Sequence, residues 1–216
     1  SISKMKEHFT VLSLFKDLGF VRIQPDIATM GILTNCFCHL GRVDLGFSIL
    51  GTIIKCGLEP EVIILTTLLR GLCTEDKIAQ AVVLFRQIVE EYPSNEFTYG
   101  VMFNGLCKSG YSRTALQLLG EMEERGCCKP NAVIYNTIID GLCKERHIDD
   151  ALELFQEVKD KCGLEPEVRI LNTLLHGLCT EDKIAQAVVL FRQIVEEYPS
   201  NEFTYGVMFN GLCKSG

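Results

Sequence analysis

The tripeptide Gly-Leu-Cys occurs at 71–73, 105–107, 141–143, 177–179 and 211–213, at steps of 34, 36, 36 and 34 residues. Recurrence at that interval marks a chain built from copies of one supersecondary unit. It restricts the possible folds more than any other feature of the sequence. Cys38 extends the series backwards, 35 residues before Cys73. Six of the eleven cysteines therefore occupy one repeat position. Thiols that hold a metal or exchange electrons must be brought together, whereas these are spread one per unit, so they read as small buried apolar side chains. Cys127 and Cys128 are adjacent, and Cys36-x-Cys38 has no partner pair at zinc-site spacing. Neither a disulfide framework nor a metal centre is expected, and a reducing compartment fits.

Units counted from Ile27, Val62, Glu96, Ala132, Val168 and Glu202 give complete copies over 27–61, 62–95, 96–131, 132–167 and 168–201. Residues 1–26 correspond to the second half of an earlier unit, and 202–216 to the first half of a later one. The whole of 1–216 then reads as a single repeat array. Unit 132–167 shows the anatomy. Ile134, Ile138 and Leu142 form one apolar row, Tyr135, Ile139 and Cys143 the next, and Asn136, Asp140 and Lys144 a polar row of the same period. That pattern predicts a first helix over roughly 133–144 with one wet stripe. Glu145-Arg146-His147 turns the chain, and Ala151, Leu152, Leu154, Phe155 and Val158 build a second amphipathic helix over roughly 148–161. Cys162-Gly163-Leu164-Glu165-Pro166 stops it.

Small residues recur where two helices would meet. Gly71, Gly105, Gly141, Gly177 and Gly211 lie at unit position 10, inside the first helix. Glycine there costs about 1 kcal/mol against alanine, and its repetition points to close approach by another helix. Ala81, Ala115, Ala151 and Ala187, with Gly46 in the first unit, hold position 20. Four residues later come Phe85, Leu119, Phe155, Phe191 or Leu50. One such pair cannot bury both its helices, but stacked pairs can. The expected fold is all-α, a right-handed α-solenoid of stacked helix–turn–helix repeats.

Composition removes several classes. Apolar residues make up 47% of the 216, enough for a core. No apolar run reaches the ~18 residues of a membrane span. Ser1-Ile2-Ser3-Lys4-Met5-Lys6 does not open a signal peptide. The histidines His8, His39, His147 and His176 are scattered, and no nucleophile–base–orienter set or metal motif emerges. No enzyme, cofactor or small-molecule substrate is expected. The net charge of −7 opposes a nucleic-acid partner until the charges are placed.

Ile134-Tyr135-Asn136-Thr137-Ile138-Ile139-Asp140-Gly141-Leu142-Cys143-Lys144, then Ala151-Leu152-Glu153-Leu154-Phe155, then Gly163-Leu164-Glu165-Pro166, resembles the pentatricopeptide repeat family. The wording is closest to the plain 35-residue class and to restorer-of-fertility-like proteins of plant mitochondria. The match recurs along essentially the whole chain. The tetratricopeptide repeat shares the alanine and the late proline, but its Trp-x2-Leu-Gly-x2-Tyr opening is absent and the chain has no tryptophan. The resemblance implies sequence-selective binding of single-stranded organellar RNA, in mitochondria or chloroplasts, affecting processing, stability or translation. It implies one base per unit, read by position 5 and the unit's last residue, with position 2 wedged between bases. The base-reading residues would be Gly31 with Glu61, Thr66 with Asn95, Gly100 with Asn131, Asn136 with Glu167, and Asn172 with Asn201. The wedges would be Ala28, Ile63, Phe97, Val133, Arg169 and Phe203. By the family's pairing pattern Thr66 with Asn95 points to adenine, and Asn172 with Asn201 to a pyrimidine. Asn136 with Glu167 points to a pyrimidine more weakly, because Glu is longer than the family's usual Asp. The unit-final asparagines are equally good helix N-caps.

Positions 2, 5, 9 and 13 share one helix face by their spacing. On that stripe lie the cations Arg70, Lys108, Lys144, Arg169 and Lys214 against one anion, Asp140, with His39 and His176 in addition. Arg70, Lys108, Lys144, His176 and Lys214 are placed to meet RNA phosphates. The acidic excess falls on second helices and loops such as Glu90-Glu91, Glu121 to Glu124 and Asp149-Asp150. A chain of net negative charge can therefore still offer a positive groove. Phe97 and Phe203 offer stacking faces, and Asn136 and Asn172 a planar donor–acceptor pair for a base edge.

Residues 57–110 and 163–216 are copies offset by 106, identical at 51 of 54 positions. The three differences are Ile63 against Arg169, Thr66 against Asn172, and Arg70 against His176. All three fall on the stripe, at positions 2, 5 and 9 of one first helix. A constant scaffold with one varied face is what altered ligand specificity looks like. The competing reading is a protein- or peptide-binding helical scaffold, whose binding would be insensitive to RNA. At the two ends Phe15 and Leu18, and Val207, Met208 and Leu212, are expected to lose their neighbours and favour end-to-end association.

Overall fold

The computed structural model describes residues 26–92, 96–126, 128–162, 168–197 and 202–214, with Thr10 and Ser13, and the backbone alone at 160–162, 197 and 214. Among the described residues the chain is helical, with no strand. The helices are α1 (Ile27–His39), α2 (Val43–Lys55), α3 (Val62–Thr74), α4 (Ile78–Glu91), α5 (Glu96–Lys108), α6 (Ser112–Arg125), α7 (Ala132–Lys144), α8 (Ile148–Cys162), α9 (Val168–Thr180), α10 (Ile184–Glu197) and α11 (Glu202–Lys214). They fall into two compact units, Ser1–Gly105 and Leu106–Gly216.

In the first unit α1 packs on α2 and on α3, and α3 on α4. In the second, α7 packs on α8, α9 on α10, and α9 also on α7 and α11. First helices thus stack on first helices, each with its second helix alongside. Met30, Ile53, Ile64, Leu68 and Leu72 fill the interior of the first unit, and Met122, Ile138, Leu142, Leu174 and Leu178 that of the second. Each such side chain contributes about 1.5–3 kcal/mol by leaving water. Leu72→Ala or Leu142→Ala would cost about 2–5 kcal/mol.

The turn inside each pair is one repeated device. The position-16 N–H donates back to the position-11 carbonyl: Arg42 to Phe37, Lys77 to Leu72, Tyr111 to Leu106, His147 to Leu142 and Lys183 to Leu178, all at 2.8–2.9 Å. This closure needs a left-handed residue at position 15. Gly41 and Gly110 adopt it freely, while Asp76, Arg146 and Asp182 adopt it at φ 57–63°. Between pairs, Gly57 and Gly126 stop α2 and α6 at φ 72° and 61°.

A second device joins consecutive pairs, and it escaped the sequence reading. The Val43 N–H, at the start of α2, donates to Glu75 Oε1 at 2.6 Å, and the Ser112 N–H, at the start of α6, donates to Glu145 Oε1 at 2.9 Å. A carboxylate in one pair's turn thus caps the second helix of the pair before it, where the helix dipole favours negative charge. The signal was the recurrence of glutamate at position 14, as Glu75, Glu145 and Glu181.

The position-10 glycines do meet another helix, and their partners are the position-12 cysteines. A Cβ on Gly71 would lie 2.7 Å from Cys38 Sγ, and one on Gly141 2.8 Å from Cys107 Sγ. Gly105 meets Cys73 and Gly211 meets Cys179 in the same way, while Gly177 faces Ile148 Cδ1 at 2.5 Å with Cys143 Sγ behind it. The alanines Ala81, Ala115, Ala151 and Ala187 are fully buried. At α11 the expectation of uncovered Val207 and Met208 is corrected: both are buried, because they lie on the face toward α9 and α10. Phe209 and Leu212 on the opposite face are exposed. Phe15 and Leu18 lie outside the described residues.

Candidate nucleic-acid interface

The stripe is graded in depth. Its position-2 residues stand out: Ala28, Ile63 and Phe97 in the first unit, and Val133, Arg169 and Phe203 in the second, are all exposed. Four of them are large apolar side chains 56–70% exposed, an arrangement that burial alone would not favour. Position 5 is recessed. Gly31, Gly100 and Asn136 are half-buried, while Thr66 is 1% and Asn172 5% exposed. The outer end is polar and wet, with Arg70, Lys108, Lys144 and His176 exposed. The Lys214 side chain lies outside the described residues, as do Asn95, Glu167 and Asn201.

In the second unit these residues line an open groove of about 760 Å³. Lys144 and Asp140 of α7, Arg169, Asn172 and His176 of α9, and Phe203 of α11 form its walls. Arg146 and Glu181 also contribute, and the spacing argument did not single them out because they sit in turns. Asn172 Oδ1 is shut off from solvent and has no hydrogen-bond partner among the described residues. A buried amide oxygen left so costs about 1–3 kcal/mol, which a donor arriving from the groove would recover.

Two polar details were not foreseen. Lys144 Nζ lies 2.6 Å from Asp140 Oδ2, one helical turn away, so the stripe's one anion already holds one of its cations. The i, i+4 spacing was the available signal. In the first unit, the Thr66 hydroxyl donates to the Val62 carbonyl at 2.7 Å and lies 3.3 Å from the Thr98 hydroxyl. Among unit-final residues, Asn131 Oδ1 accepts from the Ile134 N–H at 3.0 Å and caps α7. Asp26 Oδ1 caps α1 through the Thr29 N–H at 2.8 Å, a role not singled out in the sequence. Glu61 is exposed and makes no side-chain cap.

The acidic excess is partly consumed in structural pairs, Arg113 of α6 with Asp150 of α8 at 2.9 Å and Lys183, just before α10, with Asp149 of α8 at 2.6 Å. Of the position-12 cysteines, expected to be buried, Cys38 is buried, Cys73, Cys107, Cys143 and Cys179 are half-buried and Cys213 is exposed. Four are unsuited to nucleophilic work: burial pushes the Cys38 and Cys73 thiols up to about 11, and those of Cys107 and Cys143 up to about 12. Among the described residues no group of three His, Cys, Asp or Glu side chains could hold a metal ion. No described helix is long and apolar enough to cross a membrane.

Models of the PPR repeat match residues 28–58, 97–127 and 126–159, and a model of the PPR repeat family matches 60–108 and 166–214. The chain belongs to the pentatricopeptide repeat family. Rice (Oryza sativa subsp. indica) protein Rf1, mitochondrial, is 41% identical over 73 residues, which are 33% of this chain and 9% of that protein. A putative mitochondrial pentatricopeptide repeat-containing protein of Arabidopsis thaliana is 37% identical over 84 residues, 39% of this chain and 14% of its own length. This pentatricopeptide repeat chain thus spans at most about a seventh of those relatives. The crystal structure of maize PPR10 superposes with a TM-score of 0.77 at 24% identity, over 97% of this chain and 30% of that one. PPR10 in complex with an 18-nt psaJ RNA element superposes at 0.61 and 18% identity, over 98% and 36%. At these identities the structures establish the pentatricopeptide repeat fold.

Proposed function

We propose that the chain binds single-stranded RNA through its first-helix stripe, one base per repeat over units 27–61, 62–95, 96–131, 132–167 and 168–201. The observation that carries the proposal is the groove of the second unit. An unsatisfied, recessed amide oxygen lies there between an exposed aromatic ring and exposed cations. A base needs those three elements: a stacking face, a hydrogen-bonding group and a countercharge for its phosphate. Position 5 reads the base edge, with Thr66 paired to Asn95 taking adenine and Asn172 paired to Asn201 a pyrimidine. Position 2 wedges between bases, and Arg70, Lys108, Lys144, His176 and Lys214 meet the backbone. The reading is supported by the PPR10 complex with RNA and by the localisation of the duplicate's three differences to one stripe. The organellar names of two relatives support a role on mitochondrial or other organellar transcripts, exerted by binding rather than catalysis.

The test is fluorescence anisotropy with single-stranded RNA at several salt concentrations. Lys144→Ala should weaken RNAs of every sequence alike and lower the salt slope by about 0.7. Asp140→Asn should strengthen binding about 2- to 5-fold, because it removes the stripe's anion and frees Lys144. Arg192→Ala, on the exposed side of α10, should change neither. Equal effects of Lys144→Ala and Arg192→Ala would show that the stripe is not the RNA face.

A further inference from the structure

We propose that Arg146, in the turn between α7 and α8, is a phosphate-binding residue of the second unit's groove: its guanidinium takes the phosphate that joins the nucleotides held by units 132–167 and 168–201. The inference rests on the RNA-binding reading above and adds to it a contact from a turn, outside the first-helix stripe.

Charge is the first observation. Lys144, Arg146 and Arg169 are the lysine and arginines lining the groove, and Asp140 and Glu181 are its carboxylates. Lys144 Nζ lies 2.6 Å from Asp140 Oδ2, and Glu181 Oε2 lies 3.4 Å from Lys183 Nζ. Arg169 has a partner of its own. Arg146 is exposed, and among the described residues its side chain makes no ion pair or hydrogen bond. Both acids of the groove are committed to lysines, so the charge of Arg146 is left for a ligand.

The backbone is the second observation. The turn needs a left-handed residue at position 15. Gly41 and Gly110 supply it freely, and Asp76 and Asp182 belong to the residues that tolerate it through a short polar side chain. Arg146 adopts φ 63° with a long side chain that gives the backbone no such help. Arginine here does nothing for the turn and makes no contact within the protein, yet its side chain lines the groove. A disfavoured conformation held beside a binding groove fits a ligand contact.

The root of that side chain is fixed. The Arg146 N–H donates to the Cys143 carbonyl at 3.2 Å and the His147 N–H to that of Leu142 at 2.8 Å, which closes the turn onto the end of α7. Asn172 and His176 of α9 line the same groove. A strand whose successive bases meet Asn136 of α7 and Asn172 of α9 brings its linking phosphate across from one helix to the other, beside this turn. A guanidinium presents a planar fork that matches two phosphate oxygens, so one arginine both neutralises and orients the backbone.

The experiment uses the whole chain and a single-stranded RNA selected from a randomised pool, with oligouridylate as a second probe. Arg146→Gly should weaken both about 3- to 20-fold and lower the salt slope by about 0.7. Its melting temperature should hold, because Gly41 and Gly110 make the same turn. Arg146→Asp, with the residue of the other two turns, repeats the measurement if the glycine variant folds poorly. Arg146→Lys should keep the slope and recover only part of the affinity. A neutral methylphosphonate linkage is then moved along the selected strand. At one linkage alone Arg146→Gly should lose its effect, and that linkage should lie between the bases whose preferences Asn136→Ala and Asn172→Ala alter. Loss of affinity with Lys144→Ala but none with Arg146→Gly or Arg146→Asp overturns the role of Arg146 and leaves the RNA face standing. If none of the three variants changes affinity, the face itself is misassigned and the role of Arg146 falls with it. An effect of Arg146→Gly that persists at every linkage overturns the assigned phosphate.

Discussion

Thr66 and Asn172 lie at the bottom of the stripe while their neighbours at positions 2 and 9 stand exposed. That depth gives a side-chain swap its leverage, because a mismatched polar group there has little water to fall back on. Units 62–95 and 168–201 differ at Ile63 against Arg169, Thr66 against Asn172 and Arg70 against His176. The triple change Arg169→Ile, Asn172→Thr, His176→Arg should move the later unit's preference from pyrimidine toward adenine. The shift should be about 1–3 kcal/mol, near the low end in an open groove. Affinities for two RNAs differing at one base measure it, and an unchanged ratio would sink base reading by this stripe. The stripe itself was legible, since helical spacing alone gathers positions 2, 5, 9 and 13. Depth was not, because the burial of Thr66 depends on Thr98 32 residues on, outside any window of its own helix. The Asp140–Lys144 pair could have been read, and it corrects a count that treated Lys144 as a free cation.

At the scale of elements, the periodic apolar rows gave helices close to those found. The first helix expected over roughly 133–144 is Ala132–Lys144, and the second, over roughly 148–161, is Ile148–Cys162. The joints were harder to read. Close approach at the glycines was foreseen from their cost, but cysteine as the partner was not, because nothing in one repeat says which row of the next it meets. Gly141→Ala would put a methyl 2.8 Å from Cys107 Sγ and Cβ, and should destabilise by about 1–3 kcal/mol. Glu145→Ala removes the acceptor of the Ser112 N–H across 33 residues and should cost about 0.5–2 kcal/mol. Denaturant unfolding checks both. Losses below about 0.5 kcal/mol would mean that these joints relax without consequence.

For the molecule as a whole, the elevated thiols have a consequence for pH. Below their usual value of 9.0 the cysteines are protonated in both folded and unfolded chains and contribute no pH dependence. Above it the unfolded chain loses protons that the folded chain keeps, so stability should fall from about pH 9 toward 11–12. Thermal melts at pH 8 and pH 10.5 measure the decline. Cys107→Ala with Cys143→Ala should flatten it in part, and an equal decline in that variant would exclude those two thiols as its source. Association is a second property at this scale. Phe209 is 62% and Leu212 43% exposed on α11, so light scattering should show mass rising with concentration and Phe209→Glu should suppress the rise. A strict monomer at high concentration would exclude it.

The glycine-on-cysteine contacts have one more use. Cys73, Cys107, Cys143 and Cys179 each place a half-buried sulfur beside the glycine of the following first helix. A half-buried and weakly acidic thiol is alkylated slowly at neutral pH, and faster while its seam is open. Trapping rates at Cys73, Cys107, Cys143 and Cys179, separated by mass spectrometry, would then give the opening frequency of each joint in turn. With RNA present, the same four sulfurs would tell which joints a bound strand holds shut.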